Sequence, residues 1–266
     1  MKAVIFCGGK GTRLHEETEF KPKPLVQVGN MPILWHVMKL YANYSVKEFI
    51  LCLGYKGNMI KEYFLNFEEM SNDFTLTLRS CENKVMHHCG SSLEDWSITF
   101  KDTGLENQTG SRLSKIKELI GDDEDFFLTY GDCVSDVDID DLLDFHKKKG
   151  TVLTLTGVQP VSPFGMITVK NGLVETFKEK PKLKGIINGG FFVCNKKVFD
   201  YISDDIDCVF EEKPMETLAY EGQLAVYEHS GFWYAMDTQK HVNELNVMWS
   251  SGNPPWKIWD KQRGDY

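Results

Sequence analysis

The chain has 266 residues, 42% hydrophobic and 26% charged, with a formal net charge of -9. That length can bury a sizeable core, as one large domain or a domain with an elaborated end, while the acidic balance argues against nucleic-acid binding, which needs a basic face. No apolar run approaches the ~20 residues of a membrane span, and seven cysteines (7, 52, 81, 89, 133, 194 and 208), with no C-x-x-C pair, read as reduced core residues of a cytoplasmic protein.

The chain opens on an apolar run, Ala3 to Cys7, that reads as a buried parallel strand rather than a signal peptide. It stops at Gly8, Gly9 and Gly11, where the backbone can turn tightly and bring N–H groups close to an anion. Arg13 and Lys23, the latter in Lys21-Pro-Lys23-Pro-Leu25, add two cations. Strand, glycine turn and cations describe a phosphate cradle for a nucleoside triphosphate. A dinucleotide fingerprint fails because Leu14 stands where a third small residue is needed, and a P-loop fails because Gly11 follows Lys10. The bland alternative is a plain glycine-rich β-to-α turn.

Ile33, Leu34, Val37, Leu40 and Tyr41 recur at helical spacing behind Pro32. Residues 49–53 read as a buried strand, followed by the loop 54–57 and a helix through Ile60, Tyr63, Phe64 and Phe67. Short alternating runs follow at 74–78 and 96–100. His87-His88-Cys89 offers metal-ligand chemistry but has no partner cluster at ligand spacing. Thr109-Gly110-Ser111-Arg112 opens a helix whose N-terminus could face a base or phosphate. Residues 126–131 form another buried strand, and Asp138 caps a helix that stops at Gly150. In this open α/β pattern ligands lie beyond the carboxyl ends of the strands.

The second half holds a strand at 152–158, a hairpin at 166–177 turning on Asn171-Gly172, a strand at 186–194 and two short helical stretches. The tail Pro254-Pro-Trp-Lys-Ile-Trp259 reads as a packing segment, on the body or on a neighbouring subunit. Asp132 directly follows the strand that ends near Gly131, and Asp237 sits at a strand-to-helix junction near Thr238. Either alone reads as a cap or loop residue; brought together, the two carboxylates can hold one Mg²⁺. Glu179-Lys180-Pro181 and Asn188-Gly189-Gly190 supply a cation, a carboxylate and an amide suited to a sugar phosphate.

In order and spacing these motifs, with Gly54-Tyr-Lys-Gly57, Phe164-Gly165 and Trp233 to Asp237, resemble the sugar-1-phosphate nucleotidyltransferases over nearly the whole chain. The likeness is closest to members acting on CTP and α-D-glucose 1-phosphate, through residues 21–25, 32–36, 54–63, 130–136 and 254–259. The resemblance implies CDP-glucose and pyrophosphate as products, a role in deoxysugar and O-antigen synthesis, and a homo-oligomer. It implies a Rossmann-like doubly wound α/β fold: a mixed, mainly parallel sheet with a small β-rich sugar-binding elaboration and C-terminal helices. Residues 1–250 would form the nucleotidyltransferase domain, 1–150 mainly nucleotide-binding and 151–250 mainly sugar-phosphate-binding, with 251–266 as an aromatic tail.

By motif, Gly8, Gly9, Gly11 and Thr12 would hold the triphosphate, Arg13 the leaving phosphates and Lys23 the α-phosphate. Phe6, Cys7, Tyr130 and Gly131 would complete the nucleotide pocket, with Thr103, Gly104, Thr109, Gly110, Ser111 and Arg112 bordering the cytosine. Asp132 and Asp237 would hold Mg²⁺; Glu179, Lys180, Asn188 and Gly189 would grip the sugar phosphate, and Gly165 would leave room for the hexose. The chain departs from the family pattern at Cys7 (usually alanine), at Cys133 (usually glycine, so the backbone beside the metal could be perturbed) and in Pro163-Phe164-Gly165-Met166, which lacks a common arginine. A uridylyl- or thymidylyltransferase remains an alternative, because base choice rests on a few backbone contacts. A non-catalytic nucleotide-sugar-binding homologue is the other, and the presence of Arg13, Lys23, Asp132, Lys180 and Asp237 argues against it.

Overall fold

The strand Ala3–Cys7 is buried along its whole length and lies between two parallel neighbours, Glu48–Leu53 and Asp125–Tyr130. A strand covered on both faces needs no polar alternation, which is why it reads as a continuous apolar run. The computed structural model describes residues 1–78, 84–87, 94–162 and 164–260. Its eight-stranded sheet runs, from one side, Ser97–Asp102, Glu48–Leu53, Ala3–Cys7, Asp125–Tyr130, Phe192–Asn195, Leu153–Val158 and Leu224–His229, with Ile187–Asn188 also paired to Leu153–Val158. Phe192–Asn195 is antiparallel to both neighbours, so the sheet is mixed and mainly parallel, as expected.

Alternate residues of the central strands face two separate layers. Ala3, Ile5, Phe49, Leu51 and Phe127 pack against Leu34, Val37, Met38 and Tyr41 of the helix Ile33–Asn43. Val4, Phe6, Ile50, Cys52, Phe126 and Leu128 pack against Leu113, Ile116, Phe199 and Leu218. The parallel register sets Phe6 beside Tyr130, Cys7 beside Leu53, and Leu53 beside Asp102. The loops that begin at Gly8, Gly54, Thr103 and Gly131 therefore leave from one edge of the sheet.

Asp138 caps the helix Ile139–Lys149 by accepting the Asp141 N–H at 2.9 Å, and Gly150 ends it at φ 65°. The hairpin Met166–Lys170 and Leu173–Lys178 turns on Asn171 (φ 52°) and Gly172 (φ 80°), the primed geometry its sequence predicts. The expected strand at 186–194 is broken. Gly190 (φ 74°) and Phe191 (φ 47°) take left-handed conformations between Ile187–Asn188 and Phe192–Asn195, and both pieces remain on the same edge of Leu153–Val158. The expected helix through Phe67 also divides at Asn66, into Gly57–Leu65 and Phe67–Ser71.

Phe74–Thr77 pairs with Lys84–His87 off the main sheet. The side chains of His87, His88 and Cys89, like Cys81 and Pro163, lie outside the described residues. In the tail, Trp256 is fully buried and stacks near Phe232 and Trp249. No helix among the described residues is long and apolar enough to cross a membrane.

Candidate active site

At the shared strand edge lies a cavity of about 490 Å³, walled by the glycine loop, Lys23, Tyr130, Gly131, Asp132 and the segment that includes Leu105, Thr109 and Arg112. Phe6, Cys7, Gly8, Gly9, Gly11, Thr12 and Arg13 all line it. The loop's glycines have three distinct causes. A Cβ on Gly8 would fall 2.2 Å from the Arg112 guanidinium, so the buried arginine by itself requires a glycine here. Gly11 sits at φ 63°, with Thr18 and Lys23 packed where a Cβ would project. Only open space faces Gly9, which leaves its backbone approachable from the cavity.

Cations and carboxylates converge beside this loop. Lys23 enters on a short helical turn after Pro22 and is nearly buried. Its Nζ lies 2.5 Å from Asp132 Oδ2 and 2.7 Å from Asp237 Oδ1, while Arg13 reaches Asp237 Oδ2 at 3.0 Å. Asp237 does not line the cavity itself; it arrives because Trp233–Ala235 pairs antiparallel with Cys133–Ser135, and the Met236 N–H then donates to Asp132 O at 2.9 Å. Burial works to raise the Asp237 pKa, but the Lys23 and Arg13 cations overcome it and hold the carboxyl below its usual range. Burial likewise opposes charge on Lys23, and the two carboxylates reverse this, raising its pKa.

The base-side residues play unequal parts. Thr109 and Arg112 reach the cavity wall, whereas Thr103, Gly104, Gly110 and Ser111 do not line it. Arg112 is buried, donating to the Leu53, Gly104, Gly8 and Leu105 carbonyls and to Thr103 Oγ1. It thus ties the ends of three parallel strands to one guanidinium, a scaffold sequence reasoning reads only as a border of the base. Gly110 packs against the Cys208 carbonyl. Cys7 and Cys133 are buried, and burial raises both thiols well above their usual pKa, so neither supplies a thiolate nucleophile. Cys133 pairs regularly opposite Ala235, with no disturbance of the backbone next to Asp132.

On the sugar side, Trp233 Nε1 donates to Gly189 O at 2.6 Å, Asn188 Oδ1 accepts the Gly190 N–H at 2.9 Å, and the Tyr130 ring packs against Gly190. Gly165 lies against Phe177 and the Glu179 carboxylate. Glu179 and Lys180 are exposed at the base of the hairpin and outside the cavity wall. Sequence reasoning missed Glu211, whose carboxylate accepts the Tyr130 and Thr109 hydroxyls, each at 2.5 Å. It lies in an irregular segment with no periodic signal. Glu106, Asn107 and Gln108 also line the cavity unannounced by any motif.

Fold and site together define a nucleotidyltransferase: a glycine loop, convergent cations and paired carboxylates at the carboxyl edge of a doubly wound sheet. Residues 2–240 match the "Nucleotidyl transferase" family model, and the chain belongs to that family. It is 47% identical over 262 residues to the glucose-1-phosphate cytidylyltransferase of Salmonella typhimurium, covering 98% of this chain and 100% of the relative. It is 49% identical over 259 residues to the "Probable glucose-1-phosphate cytidylyltransferase" of Bacillus subtilis, covering 97% and 100%. Among solved structures, HddC of Yersinia pseudotuberculosis shares the fold, with a TM-score of 0.68 at 20% identity over 93% of this chain and 99% of that one.

Proposed function

We propose that the chain transfers the cytidylyl group of CTP to α-D-glucose 1-phosphate, giving CDP-glucose and pyrophosphate. The observation that carries this reading is the convergence of Lys23 and Arg13 on Asp132 and Asp237 beside the glycine loop. Full-length identity to named glucose-1-phosphate cytidylyltransferases supports the choice of base and sugar.

A sugar-phosphate oxygen attacks the α-phosphorus in line, and the bond to the β-phosphate breaks with its electrons leaving on pyrophosphate. No protein nucleophile is required. The barrier is dominated by repulsion between two anions and by charge developing on the leaving group, so positioning and fixed cations do the catalytic work. In this reading Gly8, Gly9, Gly11 and Thr12 seat the triphosphate, and Arg13 takes the leaving phosphates. Lys23 moves from its carboxylate partners to the α-phosphate. Glu179, Lys180, Asn188 and Gly189 hold the hexose phosphate, and Gly165 leaves it space.

Asp132 and Asp237 fit a divalent cation, since oxygens of both already converge on a single cationic nitrogen. Two hard carboxylate donors suit Mg²⁺ completed by phosphates and water. Bound there, Mg²⁺ would supply charge neutralisation for the triphosphate.

Residues 1–150 act mainly on the nucleotide and 151–250 mainly on the sugar phosphate, with the aromatic tail packed behind. The exposed apolar side chains of the hairpin, among them Ile167, Leu173 and Phe177, support a homo-oligomer, and the free cysteines support a cytoplasmic setting. CDP-glucose would serve as an activated hexose for deoxysugar and O-antigen synthesis. The test offers CTP, UTP, dTTP and GTP separately with glucose 1-phosphate and Mg²⁺, and identifies the product. CDP-glucose from CTP is expected; UDP- or dTDP-glucose in its place would overturn the base assignment.

A further inference from the structure

We infer that Lys10 is a further phosphate-binding residue, directed at the leaving β- and γ-phosphates, and that Glu106 is the internal anion that holds it before the nucleotide arrives. This rests on the proposed function. Lys10 and Glu106 both line the cavity, one on the glycine loop and the other on the loop that follows the strand Ser97–Asp102. Across 96 residues of chain, Lys10 Nζ donates to Glu106 Oε1 at 3.0 Å and to Oε2 at 2.7 Å.

Four cationic side chains line the cavity: Lys10, Arg13, Lys23 and Arg112. Arg112 is engaged by four carbonyls and by Thr103 Oγ1, which leaves it little capacity for a ligand. Lys23 goes to the α-phosphate in the proposed reaction, so Arg13 alone would face a leaving group that carries several negative charges. Lys10 is the fourth cation and the easiest to recruit. Its side chain is 48% exposed and that of Glu106 60%, and water weakens such a pair to no more than about fivefold in an equilibrium constant. A charge-assisted contact to a phosphate oxygen is worth about tenfold or more. Exchange therefore favours the phosphate.

The loop permits that exchange without moving its ends. Gly8 O accepts the Tyr55 N–H at 3.1 Å, and Gly11 O accepts the Leu14 N–H at 2.9 Å and Thr18 Oγ1 at 3.2 Å. Lys10 projects from the short span between these anchors on a flexible four-carbon stem, so only its side chain has to turn. Glu106 is left in contact with water, where an unpaired carboxylate costs little. Arg13 and Lys23 are held by Asp237 and Asp132 in the same manner; Lys10 extends the pattern to the opposite wall.

The test compares wild type, Lys10→Met, Glu106→Gln and the double variant. Both positions are exposed, and substitution there costs little stability. Lys10→Met should raise the KM for CTP, and for pyrophosphate in the reverse reaction, about tenfold. Inhibition by CMP, which lacks the β- and γ-phosphates, should change less than about twofold. An unchanged CTP KM, or equal weakening of CMP, would overturn the phosphate role. Glu106→Gln should lower the CTP KM about two- to fivefold in the wild-type background and leave it unchanged in the Lys10→Met background. No gain in wild type, or the same gain in both backgrounds, would overturn the part given to Glu106. The product formed by wild type judges the proposed function. The variant ratios, taken with whichever triphosphate and monophosphate the wild type binds, judge Lys10 and Glu106.

Discussion

The Lys23 ammonium lies 2.5 Å from the Asp132 carboxylate, and its own pKa is raised by that carboxylate and by Asp237. The lysine therefore stands between the two carboxylates proposed to hold the metal. In the proposed reaction an incoming triphosphate would draw it away, so nucleotide and metal binding should assist one another.

Lys23→Met should accordingly bind Mn²⁺ more tightly than wild type when no nucleotide is present, because two carboxylates lose their internal counter-ion. Turnover should fall by about 10² or more, the scale of one lost transition-state contact. Titration with Mn²⁺ followed by paramagnetic resonance reads the affinity; an unchanged value would show that the lysine does not compete.

The glycine loop offers a paired test. Gly8→Ala drives a Cβ into the buried Arg112 guanidinium and should cost about 1–3 kcal/mol of stability. Gly9→Ala meets no protein atom within 4 Å, so stability should stay within about 0.5 kcal/mol while the nucleotide KM rises. Thermal melts and KM values separate the two; equal loss of stability in both would contradict the assignment.

His36 gives a pH signature. Its Nε2–H donates to Val28 O at 2.9 Å, its Nδ1 faces the Trp256 indole N–H, and burial, aided by Lys257, depresses its pKa to about 4. The unfolded chain takes up this proton near pH 6.5 and the folded chain only near 4, so stability is lost as pH falls through that window, by about 3 kcal/mol in total. His36→Gln keeps a donor for Val28 without titrating. Denaturant midpoints from pH 7 to 4 should fall less steeply in that variant than in wild type, and parallel curves would exclude His36 as the source.

Lys180→Ala should raise the KM for glucose 1-phosphate by about tenfold, as for one charge-assisted contact, and leave the nucleotide KM nearly unchanged. Steady-state kinetics with each substrate varied in turn decides this. An unchanged sugar-phosphate KM would remove Lys180 from the grip.

Much of this architecture is legible in the chain. Ala3–Cys7 announces itself because a strand buried on both faces is apolar throughout, and Asp132 because only Gly131 separates it from the buried strand Asp125–Tyr130. What brings Asp237 to Asp132 is the pairing of Trp233–Ala235 with Cys133–Ser135, a contact between strands about a hundred residues apart that no local pattern records. At Gly8 the sequence hides a second cause, since the close approach of the buried Arg112 guanidinium leaves the same glycine as a phosphate turn would. Glu211 had no signal, because its hydrogen bonds exist only once Thr109 and Tyr130 are side by side. The break at Gly190 and Phe191 was hidden by an otherwise continuous apolar run.

The central claim is that Asp237, held beside Asp132 and Lys23, serves Mg²⁺-dependent transfer from CTP to glucose 1-phosphate. Pyrophosphate release by wild type and Asp237→Asn, alongside CTP affinity measured without metal, tests it most directly. The account predicts a rate about 10²–10³-fold lower in the variant, with CTP affinity nearly unchanged. Normal Mg²⁺-dependent release by Asp237→Asn would contradict it.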